Sequence, residues 1–305
     1  MTTNSTQRVS KMEEEVIKKY KAAGEIAKEV KKLAREIVKP GAKYYEICQK
    51  LEDRIIKLGG KPAFPVNISV NEIAAHDTAK LEDDREIKKE DLVKVDIGVH
   101  VDGFIADTAI SFCWTDEYKD LIKASEEALK AAIDTLKPGI KLSKIGGAIE
   151  KTIASYGYRS IRNLSGHGLG QFDLHHGLTI PNYDNGSDKT LEPNIAIAIE
   201  PFATNGNGFI IETKNSEIFK VENIPPLRTP NARKLFSYIV EEYKTLPFAK
   251  RWLTTKFNKF QIASGFIELK RYLHNYPNLK EEADGIVSQA EHTILVLDSG
   301  NIITT

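Results

Sequence analysis

The amino-acid sequence predicts a mixed α/β (α+β) domain built from two related halves, with a helical insertion near its C-terminus. The pattern Lys-Pro-Gly-x-Lys occurs at 39–43 and again at 137–141. Each copy separates two segments of helical periodicity, and a strand-like segment follows them. Pro-Gly also ends many unrelated helices, but the matching flanks favour a repeat. Strand-forming residues dominate 92–114 and 195–221.

The first half begins with polar residues 1–10, for which we expect a flexible tail. Apolar side chains then recur every three to four residues over 11–38, which predicts an amphipathic helix. A second helix runs to about Leu58 and ends at Gly59-Gly60, because glycine suits the left-handed cap of a helix. A strand is expected over 63–70.

The second half repeats this order, with a helix over 118–136, another reaching about Ser155, and a strand-like run over 160–164. We therefore expect the main domain to comprise 11–226 and 286–305. The intervening segment, 227–285, is aromatic, helical in pattern and interrupted by prolines. It reads as a helical insertion between two strands of the main sheet.

Composition excludes several classes of protein. The 305 residues carry 43 Lys+Arg and 43 Asp+Glu, so a general nucleic-acid coat is disfavoured. No apolar run is long enough to span a membrane. Two cysteines without a Cys-x-x-Cys pattern exclude a disulfide scaffold and a thiolate zinc site, and they favour a cytoplasmic location.

Residues 92–109 read as a β-hairpin with its turn at 101–103. In a hairpin with a two-residue loop, opposed residues have numbers with an odd sum, so Asp96 and Asp107 share a face as opposed or diagonal neighbours. Two carboxylates on an apolar face repel each other and resist burial, and a cation would relieve both costs. The alternative is a pair of solvent-facing aspartates.

Further histidine and glutamate side chains lie in loops or at the ends of predicted strands. His167 lies among three glycines in Ser-Gly-His-Gly-Leu-Gly, although a lone histidine there is more often structural. Glu200 ends an apolar strand, and Glu291 begins another, where an unpaired carboxylate is rarely buried. His175 and His176 alternate on a short strand-like run, so only one can face the site. His76 lies between apolar neighbours and could be simple packing.

Together these signals provide two aspartates, two glutamates and one histidine. An oxygen-rich set with one imidazole suits Mn, Fe, Co or Zn. Four carboxylates would over-neutralise a single ion, so two bridged divalent ions fit better. The reaction this implies is metal-assisted hydrolysis by a bridging hydroxide.

The sequence resembles the methionine aminopeptidases, specifically type II. The motifs that carry the resemblance are AAHDT at 74–78, VDIGVHVDGFIADTA at 95–109, SGHGLG at 165–170, IEPF at 199–202 and AEHTILV at 290–296. The resemblance implies the pita-bread fold, in which two pseudo-symmetric α/β halves surround an antiparallel sheet. The insertion at 227–285 is similar to the one that marks type II, and the absence of a long N-terminal extension suggests an archaeal-type enzyme.

The resemblance also implies roles for individual residues. Asp96 would bind one metal ion, Asp107 and Glu291 would bridge both, and His167 and Glu200 would hold the other. Glu200 would also handle the proton of the nucleophilic water. His76 and His175 would contact the substrate and stabilise the tetrahedral intermediate.

Two further positions match apolar pocket residues of type II enzymes, Phe64 at 12 residues before His76 and Tyr276 at 15 before Glu291. His176 departs from the small residue expected after His175, and we interpret it as a surface change.

The implied activity is metal-dependent removal of the initiator methionine from nascent proteins and peptides in the cytoplasm, by a monomer. A proline-specific aminopeptidase or prolidase of the same superfamily is the first alternative, but it usually carries an additional N-terminal domain. A non-catalytic binding relative is the second, but such relatives lose metal ligands.

The insertion has a local charge excess, with 11 Lys+Arg against 5 acids over 227–282. We expect either a solvated helical surface or docking near the ribosomal exit through Lys250, Arg251, Lys256 and Lys259.

Overall fold

A computed structural model describes residues 12–224 and 226–305. The predicted tail at 1–10 lies outside the described residues. The first half contains α1 (Glu14–Ile37), α2 (Tyr44–Lys57), β1 (Lys61–Pro62), β2 (Asn67–Val70), β3 (Ile73–Ala75), β4 (Val93–Val101) and β5 (Phe104–Phe112).

The second half contains α3 (Lys119–Thr135), α4 (Leu142–Ser155), β6 (Arg159–Ser160), β7 (Ser165–Leu169), β8 (Thr179–Pro181), β9 (Ile195–Ile199), β10 (Phe202–Thr204) and β11 (Ile210–Val221). The remaining elements are α5 (Pro230–Tyr243), β12 (Phe248–Ala249), a 3₁₀ helix (Lys250–Thr255), α6 (Lys259–Leu269), β13 (Leu273–Glu281), β14 (Val287–Gln289), β15 (His292–Val296) and β16 (Ile302–Ile303).

The two Lys-Pro-Gly-x-Lys segments form equivalent loops, which confirms the predicted repeat. Gly41 and Gly139 have φ of +83° and +81°, a region that favours glycine. Gly41 N donates to Ile87 O at 2.8 Å, and Gly139 N donates to Leu191 O at the same distance. Each loop therefore closes one helix pair in the same way and joins it to a returning strand-like segment.

Each helix pair covers an antiparallel sheet. Helices α1 and α2 pack on the sheet ordered β1-β4-β2, in which β5 also pairs with β4. Helices α3 and α4 pack on the sheet ordered β16-β15-β9-β7-β8. Apolar residues of the helices fill the core on one face of each sheet, which leaves the opposite faces to build a site between them.

Side-chain hydroxyls help to join the two halves where β5 approaches the start of β15. Thr293 Oγ1 accepts a hydrogen bond from Asp107 N at 2.7 Å and donates to Asp107 O at 2.9 Å. Thr108 Oγ1 donates to Glu291 O at 2.8 Å. These hydroxyls satisfy buried backbone groups where β5 approaches β15, so the two strands stay in fixed register.

The insertion is only partly helical. The helical interpretation holds for α5 and α6, but it is wrong for residues 273–281, which form β13. This strand pairs with both β11 and β3. Its long-range partners override a local pattern that is ambiguous between helix and strand.

A buried ion pair fastens the insertion to the first half. Arg251 and Glu52 are 4% and 3% exposed, and the Arg251 guanidinium donates to Glu52 Oε1. Trp252 Nε1 donates to the other carboxylate oxygen at 2.8 Å. The prediction that Arg251 belongs to a solvated outer face is therefore wrong, because Glu52 on α2 draws it inward.

Across the described ranges, 12–224 and 226–305, no helix combines the length and apolarity that a membrane crossing requires.

Candidate metal centre

All nine predicted site residues line one cavity of about 410 Å³ between the two sheets. They are Phe64, His76, Asp96, Asp107, His167, His175, Glu200, Tyr276 and Glu291. They come from seven separate parts of the chain, and the fold alone brings them together.

The hairpin β4–β5 places the two aspartates as predicted. Asp96 is opposite Ala109 and Asp107 is opposite Gly98, so the carboxylates are diagonal neighbours on one face. Gly98 also has a steric role, because a Cβ there would lie 2.2 Å from the Phe64 ring. The missing side chain lets Phe64 pack against the strand beside Asp107.

The other three residues approach from the second sheet. His167 lies on β7, Glu200 directly follows β9, and Glu291 directly precedes β15. His167 Nε2 is 3.7 Å from Asp107 Oδ2 and 3.6 Å from Glu200 Oε1. Asp107, His167 and Glu291 each offer one ligand atom, and these three atoms lie within 4.8 Å of one another.

Several carboxylate oxygens in the cavity lack a hydrogen-bond partner among the described residues. Asp96 Oδ1, Asp107 Oδ1 and Glu291 Oε2 are buried and have no hydrogen-bond partner. Buried polar atoms are normally paired, so three orphaned oxygens on one cavity wall indicate a missing partner. Because all three orphans are carboxylate oxygens on the same wall, one bound cation or more would satisfy them together.

The raised pKa values of the cavity carboxyl groups also point to a bound cation. Burial raises the pKa of Asp96 to about 7, against the opposing effect of a hydrogen bond from Gln289. Burial and then the charge of Asp96 raise the pKa of Asp107 well above its ordinary value. Burial raises the pKa values of Glu200 and Glu291 in the same way. Four carboxylates cannot all be ionised here without cations.

The donor set fits a divalent cation. Four carboxylates and one imidazole form the oxygen-rich, mixed set that Mn, Fe, Co or Zn accepts. Burial lowers the pKa of His167 to about 3, so its ring is neutral at physiological pH and keeps a lone pair for a metal ion.

His76 stands at the cavity edge in a left-handed conformation, with φ of 64° directly after β3. Its Nδ1 is 3.3 Å from Pro277 O, and a carbonyl can only accept, so Nδ1 carries the proton. Burial lowers the pKa of His76 to about 4, and the neutral ring keeps Nε2 free to accept. The Tyr276 ring packs edge-on against it, with centroids 5.2 Å apart.

His175 and His176 point in different directions, as predicted. The His175 ring lies 4.5 Å from the His167 ring, centroid to centroid. His176 is exposed and contacts Asp173 Oδ2 through Nδ1 at 2.9 Å, in agreement with a surface position. The expected strand-like run is wrong, because positive φ values at Phe172 and Gly177 fold this segment into turns.

Sequence reasoning missed several lining residues, including Asn67, Leu174, Ile218 and Pro247. It also passed over Gln289, whose Nε2 donates to Glu200 Oε2 at 3.4 Å. The spacing of two residues between Gln289 and Glu291 was only a weak signal, because β14 ends at Gln289 and Glu291 lies before β15, so no single strand period spans them. No comparable signal marks Ile218 or Pro247, which are ordinary apolar residues.

The fold has solved counterparts. A methionine aminopeptidase from Rickettsia prowazekii superposes with a TM-score of 0.71 at 22% identity, covering 98% of this chain and 100% of that chain. This likeness and the two-half architecture confirm the predicted pita-bread fold.

Sequence relatives extend the likeness over full length. A methionine aminopeptidase of Methanocaldococcus jannaschii is 45% identical over 294 residues, 96% of this chain and 100% of the relative. One of Thermococcus onnurineus is 47% identical over 286 residues, 93% of this chain and 97% of the relative. Residues 18–229 match Metallopeptidase family M24. With this match over most of the chain and a buried, cation-requiring carboxylate cluster between its two halves, the chain belongs to the M24 metallopeptidases.

Proposed function

We propose that this protein is a methionine aminopeptidase, which hydrolyses the peptide bond after the N-terminal methionine of nascent proteins and peptides. The observation that carries the proposal is the single cavity in which all nine predicted residues meet. Relatives of that name match the chain at 45–47% identity over nearly their whole length. We place the activity in the cytoplasm, on the basis of the cysteine usage.

We propose two divalent ions of Co, Mn, Fe or Zn as cofactors. Asp96 would hold one ion, His167 and Glu200 the other, and Asp107 and Glu291 would bridge them. The three orphaned carboxylate oxygens support this count, since a single ion would leave excess negative charge in a buried cavity. When bound, such ions lower the pKa of water and polarise the scissile carbonyl.

The histidines have distinct tasks in this proposal. His76 holds its proton on Nδ1, so Nε2 accepts a hydrogen bond from a substrate N–H. His175 is positioned by contact with the His167 ring, and it donates to the oxygen that becomes negative in the tetrahedral intermediate. Glu200 receives the proton of the attacking water and passes it to the leaving amine.

The methionine side chain would occupy the apolar part of the cavity, between Phe64 and Tyr276. Ile218 is 3% exposed and lines the same cavity. An unbranched thioether adapts well to such a mixed aromatic and aliphatic surface. Binding there aligns the scissile bond with the carboxylates and excludes water around it.

We assign the protein to the type II, archaeal-type subgroup. The insertion supports this assignment because it supplies part of the cavity wall through Pro247 and Tyr276. A wall of this kind favours a substrate whose N-terminal residue has a long, apolar side chain. This preference argues against a proline-specific peptidase. A non-catalytic binding role is disfavoured because all five ligand positions are filled.

We also propose that the insertion docks a monomeric enzyme on the anionic RNA near the ribosomal exit. Phe260 and Ile267 on α6 are 74% and 69% exposed. The exposed Lys256 and Lys259 precede Phe260 in the chain, and Lys259 pairs with Glu82 at 2.9 Å. Reversing Lys256 and Lys259 to Glu should reduce co-sedimentation with ribosomes and leave peptide hydrolysis unchanged. Arg251 is excluded from this test because it is buried, and Lys250 because it is half-buried with its Nζ 5.3 Å from the centroid of the Phe266 ring. Co-sedimentation that is insensitive to salt and to the reversal would refute docking.

Peptide hydrolysis tests the activity directly. The purified chain, titrated anaerobically with Mn²⁺ or Co²⁺, should cleave Met-Ala-Ser and leave Xaa-Pro dipeptides intact. Activity should rise with added metal until the second ion is bound. Preferential cleavage of Xaa-Pro would establish the prolidase alternative, and no cleavage of either substrate would favour a binding protein.

A further inference from the structure

The buried amide of Gln289 lies between one carboxylate from each half of the molecule. Its Nε2 donates to Glu200 Oε2 at 3.4 Å, and the same side chain is near enough to Asp96 to lower the pKa of that carboxyl, against the effect of burial. An amide nitrogen carries two N–H groups, so it can serve both acceptors at once.

The backbone of Gln289 is independently fixed. Gln289 N donates to Ser111 Oγ at 2.9 Å, and Ser111 Oγ donates back to Gln289 O at 2.7 Å. Gln289 also pairs with Phe202 across β14 and β10, and it is 1% exposed. The sheet therefore fixes the backbone from which the buried side-chain amide reaches Glu200.

The remaining carboxylate oxygens stay available. With Gln289 engaged, Asp96 Oδ1 has no partner, and Glu200 Oε1 faces His167 Nε2 at 3.6 Å. A neutral donor orients the carboxylates without cancelling their charge, whereas a lysine in its place would compete with a cation.

We propose that Gln289 is a positioning residue, which holds Asp96 and Glu200 at the separation and rotation needed to present one free oxygen each to divalent ions. The inference rests on the metal-binding roles proposed above for these two carboxylates. Partners of metal ligands typically contribute tenfold to hundredfold to metal affinity.

The test compares the metal-free full-length chain with two variants. Gln289→Met keeps the length of the side chain but removes the donor, and Gln289→Asn keeps a buried amide that is too short to reach both carboxylates. The control is Ser288→Ala, which removes a buried hydroxyl from the same strand that donates to Leu121 O at 2.7 Å, away from the cavity. Mn²⁺ affinity is measured by calorimetry, the Co²⁺ coordination by visible absorption, and stability by thermal unfolding in EDTA.

Both Gln289 variants should bind Mn²⁺ roughly 10- to 100-fold more weakly and shift the Co²⁺ spectrum, while Ser288→Ala leaves both unchanged. Wild-type affinity and spectrum in Gln289→Met, or an equal loss of affinity in Ser288→Ala, would overturn the inference. Asp96→Ala distinguishes failure of the positioning role of Gln289 from failure of the proposed metal centre. If Asp96→Ala lowers Mn²⁺ affinity and Gln289→Met does not, only the positioning role fails. If Asp96→Ala also binds Mn²⁺ normally, the proposed metal centre fails as well.

Discussion

Replacing Arg251 by methionine should destabilise the protein strongly, because it leaves a buried carboxylate without its counter-charge. Glu52 would keep its hydrogen bonds from Val66 N at 3.1 Å and from Trp252 Nε1. Ala79 O would lose the donation that it receives from Arg251 Nη1 at 3.0 Å. Methionine fills most of the volume of the arginine stem, so the change removes the charge and its hydrogen bonds without opening a large cavity.

Removing one partner of a buried ion pair costs about 3–5 kcal/mol. The entropy of unfolding near the midpoint is about 2.1 cal/mol/K per residue, which gives roughly 0.64 kcal/mol/K for this chain length. The melting temperature should therefore fall by about 5–8 °C. Pro247, which lines the cavity, precedes Arg251 by four residues, so the KM for a methionyl peptide should also rise.

The assay is thermal unfolding in EDTA for the single variant and for Arg251→Met combined with Glu52→Gln. The double variant should recover most of the lost stability, since it leaves no buried charge. Burial raises the pKa of Glu52, and Arg251 opposes that effect. The native state of the single variant therefore binds more protons than its unfolded state above the ordinary pKa of glutamate, and its deficit should grow as pH rises from 5 to 8. A single variant as stable as wild type, or a deficit that is independent of pH, would refute this reasoning.

Five further substitutions test the site and the scaffold. Asp107→Ala should abolish turnover at saturating Mn²⁺ but leave the metal-free fold intact, because it removes one of four mutually repelling buried carboxylates; near-normal turnover would contradict the two-ion proposal. His76→Ala and His175→Ala should lower kcat by roughly 10²–10⁴ and retain Mn²⁺ binding, and loss of bound metal would instead make that histidine a ligand. Tyr276→Ala should raise the KM for Met-Ala-Ser and relax selectivity toward leucine by about 1–3 kcal/mol, measured as a ratio of kcat/KM values; unchanged selectivity would place the methionine elsewhere. His100→Gln tests pH-dependent stability: burial lowers the pKa of His100 to about 4, so this residue alone should contribute roughly 3 kcal/mol to the change in wild-type stability between pH 7.5 and 4 in EDTA, because the unfolded state takes up more protons. The variant should lack that contribution, and a variant with the same pH slope as the wild type would exclude His100 as a source.

Local sequence rules were sufficient for much of the scaffold. Glycine at positions 41 and 139 marks left-handed turns in both halves, and strand parity correctly placed Asp96 and Asp107 on one face. These features depend on residues that are close in sequence, where backbone sterics and side-chain alternation decide the outcome.

The misjudged strand, Arg251 and Gln289 depend on distant partners. Residues 273–281 form a strand because β11 and β3 provide hydrogen-bond partners on both sides. Arg251 is buried because Glu52, 199 positions earlier, accepts its hydrogen bond. The joint placement of Gln289 between Asp96 and Glu200 likewise requires the two halves to be assembled, and no local pattern encodes that arrangement.

The hydroxyl links between the halves also bear on the order of folding. Thr293 bonds with Asp107 across 186 positions, and Thr108 bonds with Glu291 across 183. Contacts of such long sequence separation require closure of very large loops and form slowly. Each helix pair can settle on its own sheet before these contacts exist, whereas the cavity needs both sheets and β15 in register. On refolding, helical circular dichroism should therefore recover well before peptide hydrolysis. The interval between the two would be the lifetime of an intermediate with folded halves and an unfinished catalytic site.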